Sequence, residues 1–180
     1  GLRAMKYFAD PRAFQALSEG LGKIEAETTH AESSSKLKPI EHQLDELSIS
    51  LDGLSELIGS FEDTDAKERA ELLAATGKLF GRVNRARANL RARREILVES
   101  ETEVEFSAQL AVLEESSSSL LARAADPQAI EDALAVAMSQ VEQLETRFGA
   151  SSKFVQALTT RREMLLEAFE ARRESLTLQQ

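Results

Sequence analysis

The chain has 180 residues, 42% of them hydrophobic and 29% charged, with eight glycines, three prolines, no cysteine and no tryptophan. So little turn material and so few aromatics set aside an all-β fold. The missing cysteine excludes a disulfide framework, a thiolate metal site and a cysteine nucleophile.

The formal net charge of −9 argues against attraction of the whole surface to nucleic acid or anionic lipid, so only a local basic patch could serve that role. No apolar run approaches the roughly 20 residues of a membrane span, and Gly1-Leu-Arg-Ala-Met5 holds no signal-peptide core. A cytoplasmic protein is the expectation. The start lacks an initiator Met and the end, Leu176-Thr-Leu-Gln-Gln180, stops inside a helical pattern, so the chain reads as part of something longer.

In chain order, Asp10-Pro11 offers an N-cap followed by a proline at the first helical position. Phe14, Leu17, Leu21 and Ile24 then follow steps of three and four. Lys38-Pro39 divides this helix from the next. From there Ile40, Leu44, Leu47, Leu51, Leu54, Ile58 and Phe61 alternate steps of four and three without a miss. A mean period of 3.5 keeps one narrow stripe facing a partner and implies left-handed supercoiling. Gly59 to Asp65 reads as a turn ending in an N-cap.

Beyond that turn Thr76, Val83, Leu90, Leu97 and Val104 fall seven apart, with Leu72, Leu79 and Ala86 in the other core position. The phase then slips by two residues, and Phe106, Leu110, Leu113 and Leu120 share a new register. A break or hinge is expected at the slip, across Glu99–Glu103. Asp126-Pro127 is a second cap-plus-proline start. From it run Ile130, Leu134, Ala137, Val141, Leu144 and Phe148, and the same phase reaches Val155, Leu158, Leu165, Phe169 and Leu176. Retained phase predicts one long helix, with any bend at Gly149-Ala-Ser-Ser152.

The expected fold is all-α, with long antiparallel coiled-coil-like helices forming hairpins or an elongated bundle, because stripes this narrow cannot be buried by a lone helix. Its divisions are a helical pair over 1–62, a long helix over 63–125 broken near 99–105, and a long helix over 126–180. The helix-interface seam is carried by Leu47, Leu51, Leu54, Ile58, Leu79, Val83, Leu90, Leu97, Leu134, Val141, Leu144 and Phe148.

Motifs that suggest chemistry dissolve on inspection. Thr76-Gly-Lys-Leu79 resembles the end of a phosphate-binding loop, but Leu72 stands where the first glycine should be and Leu79 where the magnesium-binding hydroxyl should be. Glu27 and His30 have the spacing of one half of a di-metal bundle site. The second such pair and the further carboxylates are missing, and His42 has no Glu three residues before it. The run Ser116–Ser119 reads as a close-packed helical turn, with a phosphorylation tract as the alternative. No catalytic residue, cofactor or metal is expected, and the chain is not read as an enzyme.

The segment Arg82 to Arg94 is the one stretch that invites a functional reading. It holds Arg82, Arg85, Arg87, Arg91, Arg93 and Arg94. At about 100° per residue, Lys78, Arg82, Arg85 and Arg93 flank the seam on one edge and Arg87, Arg91 and Arg94 on the other. Flanking charges of this kind pair with acidic residues on a neighbouring helix. Alternatively they contact nucleic acid or an acidic partner through phosphates or carboxylates. No aromatic side chain interleaves with them to stack bases.

Three stretches carry a family resemblance: Leu54-Ser-Glu-Leu-Ile-Gly59 with Phe61, the basic helix Leu79 to Arg94, and a tail with Gln143-Leu-Glu-Thr-Arg-Phe-Gly149 and Glu167-Ala-Phe-Glu-Ala-Arg-Arg173. Together these resemble the helical coiled-coil region of very large bacterial proteins described as DNA repair ATPases. The resemblance implies an AAA-type ATPase module elsewhere in the parent chain. The function expected on this basis is a non-catalytic scaffold acting by self-association or by binding a protein partner, with no role at a membrane. A nucleic-acid-binding arm built on Arg82–Arg94, with DNA as partner, is the alternative.

Overall fold

The computed structural model describes residues 11–60 and 65–179. Among these the chain is all-helical, with no strand. The helices are α1 (Pro11–His30), α2 (Leu37–Ser60) preceded by a 3-10 turn (Ser34–Lys36), α3 (Ala66–Arg123), α4 (Pro127–Phe148) and α5 (Ser152–Leu178). By contact the chain divides into two units, Gly1–Glu101 and Thr102–Gln180, and the division falls inside α3. No helix among the described residues is long and apolar enough to cross a membrane.

Unit 1 buries Leu21 and Ile24 of α1 and Leu37, Ile40, Leu44 and Leu51 of α2 against Leu79, Val83, Ala86, Leu90 and Leu97 of α3. The glycine at position 20 has a local reason. A Cβ there would stand 3.2 Å from Leu47 Cδ1, so the bare backbone lets α1 approach α2 closely. Ion pairs join Arg87 to Asp45 and Arg94 to Glu41, so numbers rise on α3 as they fall on α2. Arg82 meets Glu25 and Arg93 meets the Ala31 carbonyl, so α1 and α3 rise together.

Unit 2 is organised the same way around Phe106 and Leu113 of α3, Ile130, Ala137 and Val141 of α4, and Leu158 and Phe169 of α5. Arg147 pairs with Glu105, and Gln140 Nε2 donates to Ser116 Oγ at 3.1 Å, so α4 runs against α3. Arg162–Glu145 and Arg173–Glu131 set α5 against α4 in turn. At one end Phe106 stacks on Phe154 with centroids 4.4 Å apart, and Phe148 meets both edge-on at 5.2 and 5.9 Å.

Three expectations are corrected. The stretch Glu99–Glu103 is not a break in the helix, since α3 is helical from Ala66 to Arg123, but the boundary between the two units falls there, at Glu101–Thr102. The slip in phase marks where one helix stops serving the first core and begins serving the second, which requires no interruption of its hydrogen bonds. Val104, placed in the seam by the seven-residue spacing, is 69% exposed, and Phe106 is buried.

The single helix over 126–180 is also absent. A turn at Gly149–Ser151 separates α4 from α5, and a Cβ on Gly149 would collide with the Glu145 carbonyl. Val155, the residue that carried the phase across, is 38% exposed, whereas Phe154 is buried. The apparent continuity came from two adjacent apolar residues, only one of which faces the core. The contact boundary at Glu101–Thr102 lies inside the segment expected over 63–125.

Lys38-Pro39, finally, is not the boundary. His30 ends α1, and Pro39 lies in the first turn of α2, where its missing N–H is no loss. Asp126 does cap α4, its side chain accepting from the Ala129 amide at 2.7 Å with Pro127 beginning the helix. The cap at Asp10, the seam residue Phe61 and residues 61–64 of the expected turn lie outside the described residues.

Candidate functional site

Of the seam residues, Leu51, Leu54, Ile58, Leu79, Val83, Leu90, Leu97, Val141, Leu144 and Phe148 are buried, whereas Leu47 and Leu134 are half-buried. Ala133 rather than Leu134 takes the fully covered position on α4. Apart from Leu54 and Ile58, these side chains belong to or pack against the core of their own unit, so what they leave outward lies on the flanks of the seam.

The six arginines sit on those flanks in α3, all within unit 1, and the wheel edges resolve into two different neighbours. On the edge facing α1, Arg82 reaches Glu25 at 3.2 Å and donates to Ser18 Oγ at 2.7 Å. Arg93 Nη2 donates at 2.9 Å to the Ala31 carbonyl, just past the last turn of α1, where a cation complements the exposed carbonyls. On the edge facing α2, Arg87 pairs with Asp45 at 2.7 Å and Arg94 pairs with Glu41. These groups are about half exposed, and exposed pairs contribute only about 0.2–1 kcal/mol each. Their spacing matters more, since each fixes which turn of α3 meets which turn of its neighbour.

Arg85 and Arg91 differ. Both are exposed, and neither makes an ion pair among the described residues. Arg85 lines an open groove of about 550 Å³ between α1 and α3, together with Glu25, Thr29, Asn89, Ala92 and Ile96. Arg93 also lines it, and its Nε is buried with no hydrogen-bond partner. Ile96 is 58% exposed beside the buried Leu97. Sequence reasoning found the arginines of this groove but missed Ile96, since one apolar residue next to a seam residue looks like ordinary surface.

A second polar feature of unit 1 lies at the connection between α1 and α2. Ser34 donates to the Glu101 carboxylate through its hydroxyl at 2.6 Å and its backbone N–H at 2.8 Å. These two bonds, the hydroxyl's first, hold the Glu101 carboxyl below the usual carboxylate range, against a small opposing effect of desolvation. A carboxyl whose value is lowered by folding stabilises the folded state above its unfolded value. That contribution fades as pH falls through the lowered one. The Ser34 amide is therefore expected to keep its hydrogen-bonded NMR shift at neutral pH and to lose it only as pH falls below the ordinary carboxylate range, and to show no such pH dependence in Glu101→Gln, whose side chain does not titrate. An amide shift that stays flat through that fall would refute the clamp.

The remaining motifs are placed simply. Thr76-Gly-Lys-Leu79 lies inside α3, with the buried Thr76 hydroxyl donating to the Leu72 carbonyl at 2.7 Å, a within-helix bond that leaves no phosphate cradle. His42 lies 3.0 Å from Glu46 on the exposed face of α2, and His30 ends α1. Among the described residues no three His, Asp or Glu side chains are grouped as a metal site would require. In the serine run, Ser117 is buried with its hydroxyl unpartnered, and Ser116 accepts from Gln140.

Compared with known proteins, residues 12–96 match the model of a domain of unknown function (DUF7902). The match lies wholly within unit 1 and includes all six arginines and the groove. No curated protein and no solved structure matches the chain.

Proposed function

We propose that the chain is a non-catalytic helical scaffold, built from antiparallel coiled-coil hairpins, that holds parts of a larger cytoplasmic assembly together by self-association or by binding a partner helix. The observation that carries this reading is the use made of the arginines. Arg82, Arg87, Arg93 and Arg94 are spent on α1 and α2, whereas a surface selected for phosphate keeps its cations open to solvent. The resemblance to the helical region of large bacterial DNA repair ATPases is the reason to expect an ATPase module in the parent chain.

The second reading is a nucleic-acid arm. It is favoured by one observation, that Arg85 and Arg91 are exposed and unpaired among the described residues. A salt titration of single- and double-stranded DNA binding by fluorescence anisotropy separates the two. The scaffold reading expects no binding even at low salt. Binding that weakens with a log–log slope of about −2, as two neutralised phosphates require, and that vanishes when Arg85 and Arg91 are both changed to Glu, would put the arm in its place.

A further inference from the structure

We infer that the α1–α3 groove of unit 1 is a docking site for an acidic amphipathic helix of a partner protein. The inference rests on the scaffold reading and names what that scaffold grips. Three observations meet in this groove. Arg85 stands in it without an ion pair among the described residues, in a chain whose formal net charge is −9. Arg93, whose Nη2 donates to the Ala31 carbonyl, adds a second positive charge to the groove wall. About two and three turns beyond Arg85 on the same face of α3, Ala92 and the 58%-exposed Ile96 form an apolar floor.

Arg85, Asn89, Ala92 and Ile96 follow steps of four, three and four, so they form one stripe along α3. From Arg85 to Ile96 is eleven residues, about 16 Å of helix at 1.5 Å per residue. The order along it is cationic, polar, then apolar. A helix that fits carries Asp or Glu opposite Arg85 and Leu, Ile or Met opposite Ala92 and Ile96, about three turns apart. That is the pattern of anchors seen when a helix lies in a groove.

Charge decides between this occupant and nucleic acid. Glu25 lines the same groove and is satisfied by Arg82. A phosphate backbone would bring a charge at every nucleotide, set against one unpaired arginine, a carboxylate and an isoleucine. A helix can place its carboxylate at Arg85 alone and set an apolar side chain on Ile96.

The test uses the full 180-residue chain, isotope-labelled for NMR, and two probes. One is an alanine-based helical peptide of about four turns, with Glu at one end of a face and Leu at the other; the second is a single-stranded oligonucleotide. The peptide is expected to shift the amides of Arg85, Asn89 and Ile96. Arg85→Glu and, separately, Ile96→Asp should each weaken it about tenfold, whereas Arg91→Glu on the opposite edge should leave it unchanged. Both positions are exposed, so the variants should melt as the parent does.

Equal loss in Arg91→Glu would mean general charge attraction and would overturn the groove. Silence from both probes would overturn it too, while leaving the scaffold reading standing. Shifts at the groove from the oligonucleotide alone would remove both readings together.

Discussion

Leu90→Asp is expected to unfold unit 1 at temperatures where the parent chain is intact. Leu90 is 5% exposed and belongs to the core shared by α1, α2 and α3. Its replacement removes a packed aliphatic side chain, worth about 2–5 kcal/mol on truncation alone, and adds a carboxylate with no partner in an apolar setting. The sum, roughly 5 kcal/mol or more, is comparable to the whole stability of a small domain. Ile96→Asp supplies the control. It lies on the same helix less than two turns away but is mostly exposed, so its effect should stay within about 0.5 kcal/mol. Thermal unfolding followed by circular dichroism compares the two. A Leu90→Asp curve that superimposes on that of Ile96→Asp would remove Leu90 from the core and undo the register of α3.

How much of this was legible in the sequence depends on what each feature needs. The helical class follows from the four-and-three steps of residues such as Ile40, Leu44 and Leu51, which no strand could present on one face. The positions flanking the seam follow as well, because Arg82 and Arg87 fall on opposite edges of any helix that buries Val83 and Leu90. Connectivity between helices was less legible. A helix that passes from one core to another shows the same slip as a helix that breaks, and only the unbroken backbone over 99–103 distinguishes them. The turn after α4 was hidden by the neighbouring pair Phe154 and Val155, either of which could continue the pattern. The cue at that place was Gly149, whose closeness to the Glu145 carbonyl is a three-dimensional fact that period alone does not contain. The groove was invisible for another reason. Its floor, Ala92 and Ile96, and its wall, Glu25 and Thr29, are far apart in sequence and become one surface only when α1 lies along α3.

Phe106→Ala is expected to destabilise unit 2 by about 3–5 kcal/mol, the range for emptying a buried aromatic site. Phe106 is the centre of its ring cluster, stacked on Phe154 and edge-on to Phe148, and such ring pairs contribute about 0.5–1.5 kcal/mol beyond the area they bury. The cluster also joins three elements, since Phe106 comes from α3, Phe148 from the last turn of α4 and Phe154 from the first turn of α5. The turn at Gly149–Ser151 is thereby held from beneath by rings. From outside, the ion pairs Arg147–Glu105 and Lys153–Glu103 bring its two flanks to α3. Because the rings act together, Phe106→Ala and Phe154→Ala should not add: the second truncation enlarges a cavity already opened, and the double variant should lose less than the sum of the two. Urea unfolding midpoints of the two single variants and the double variant measure this directly. Strict additivity would mean that the rings stabilise their own helices independently, and the turn would then owe its position to Gly149 and the surface ion pairs alone.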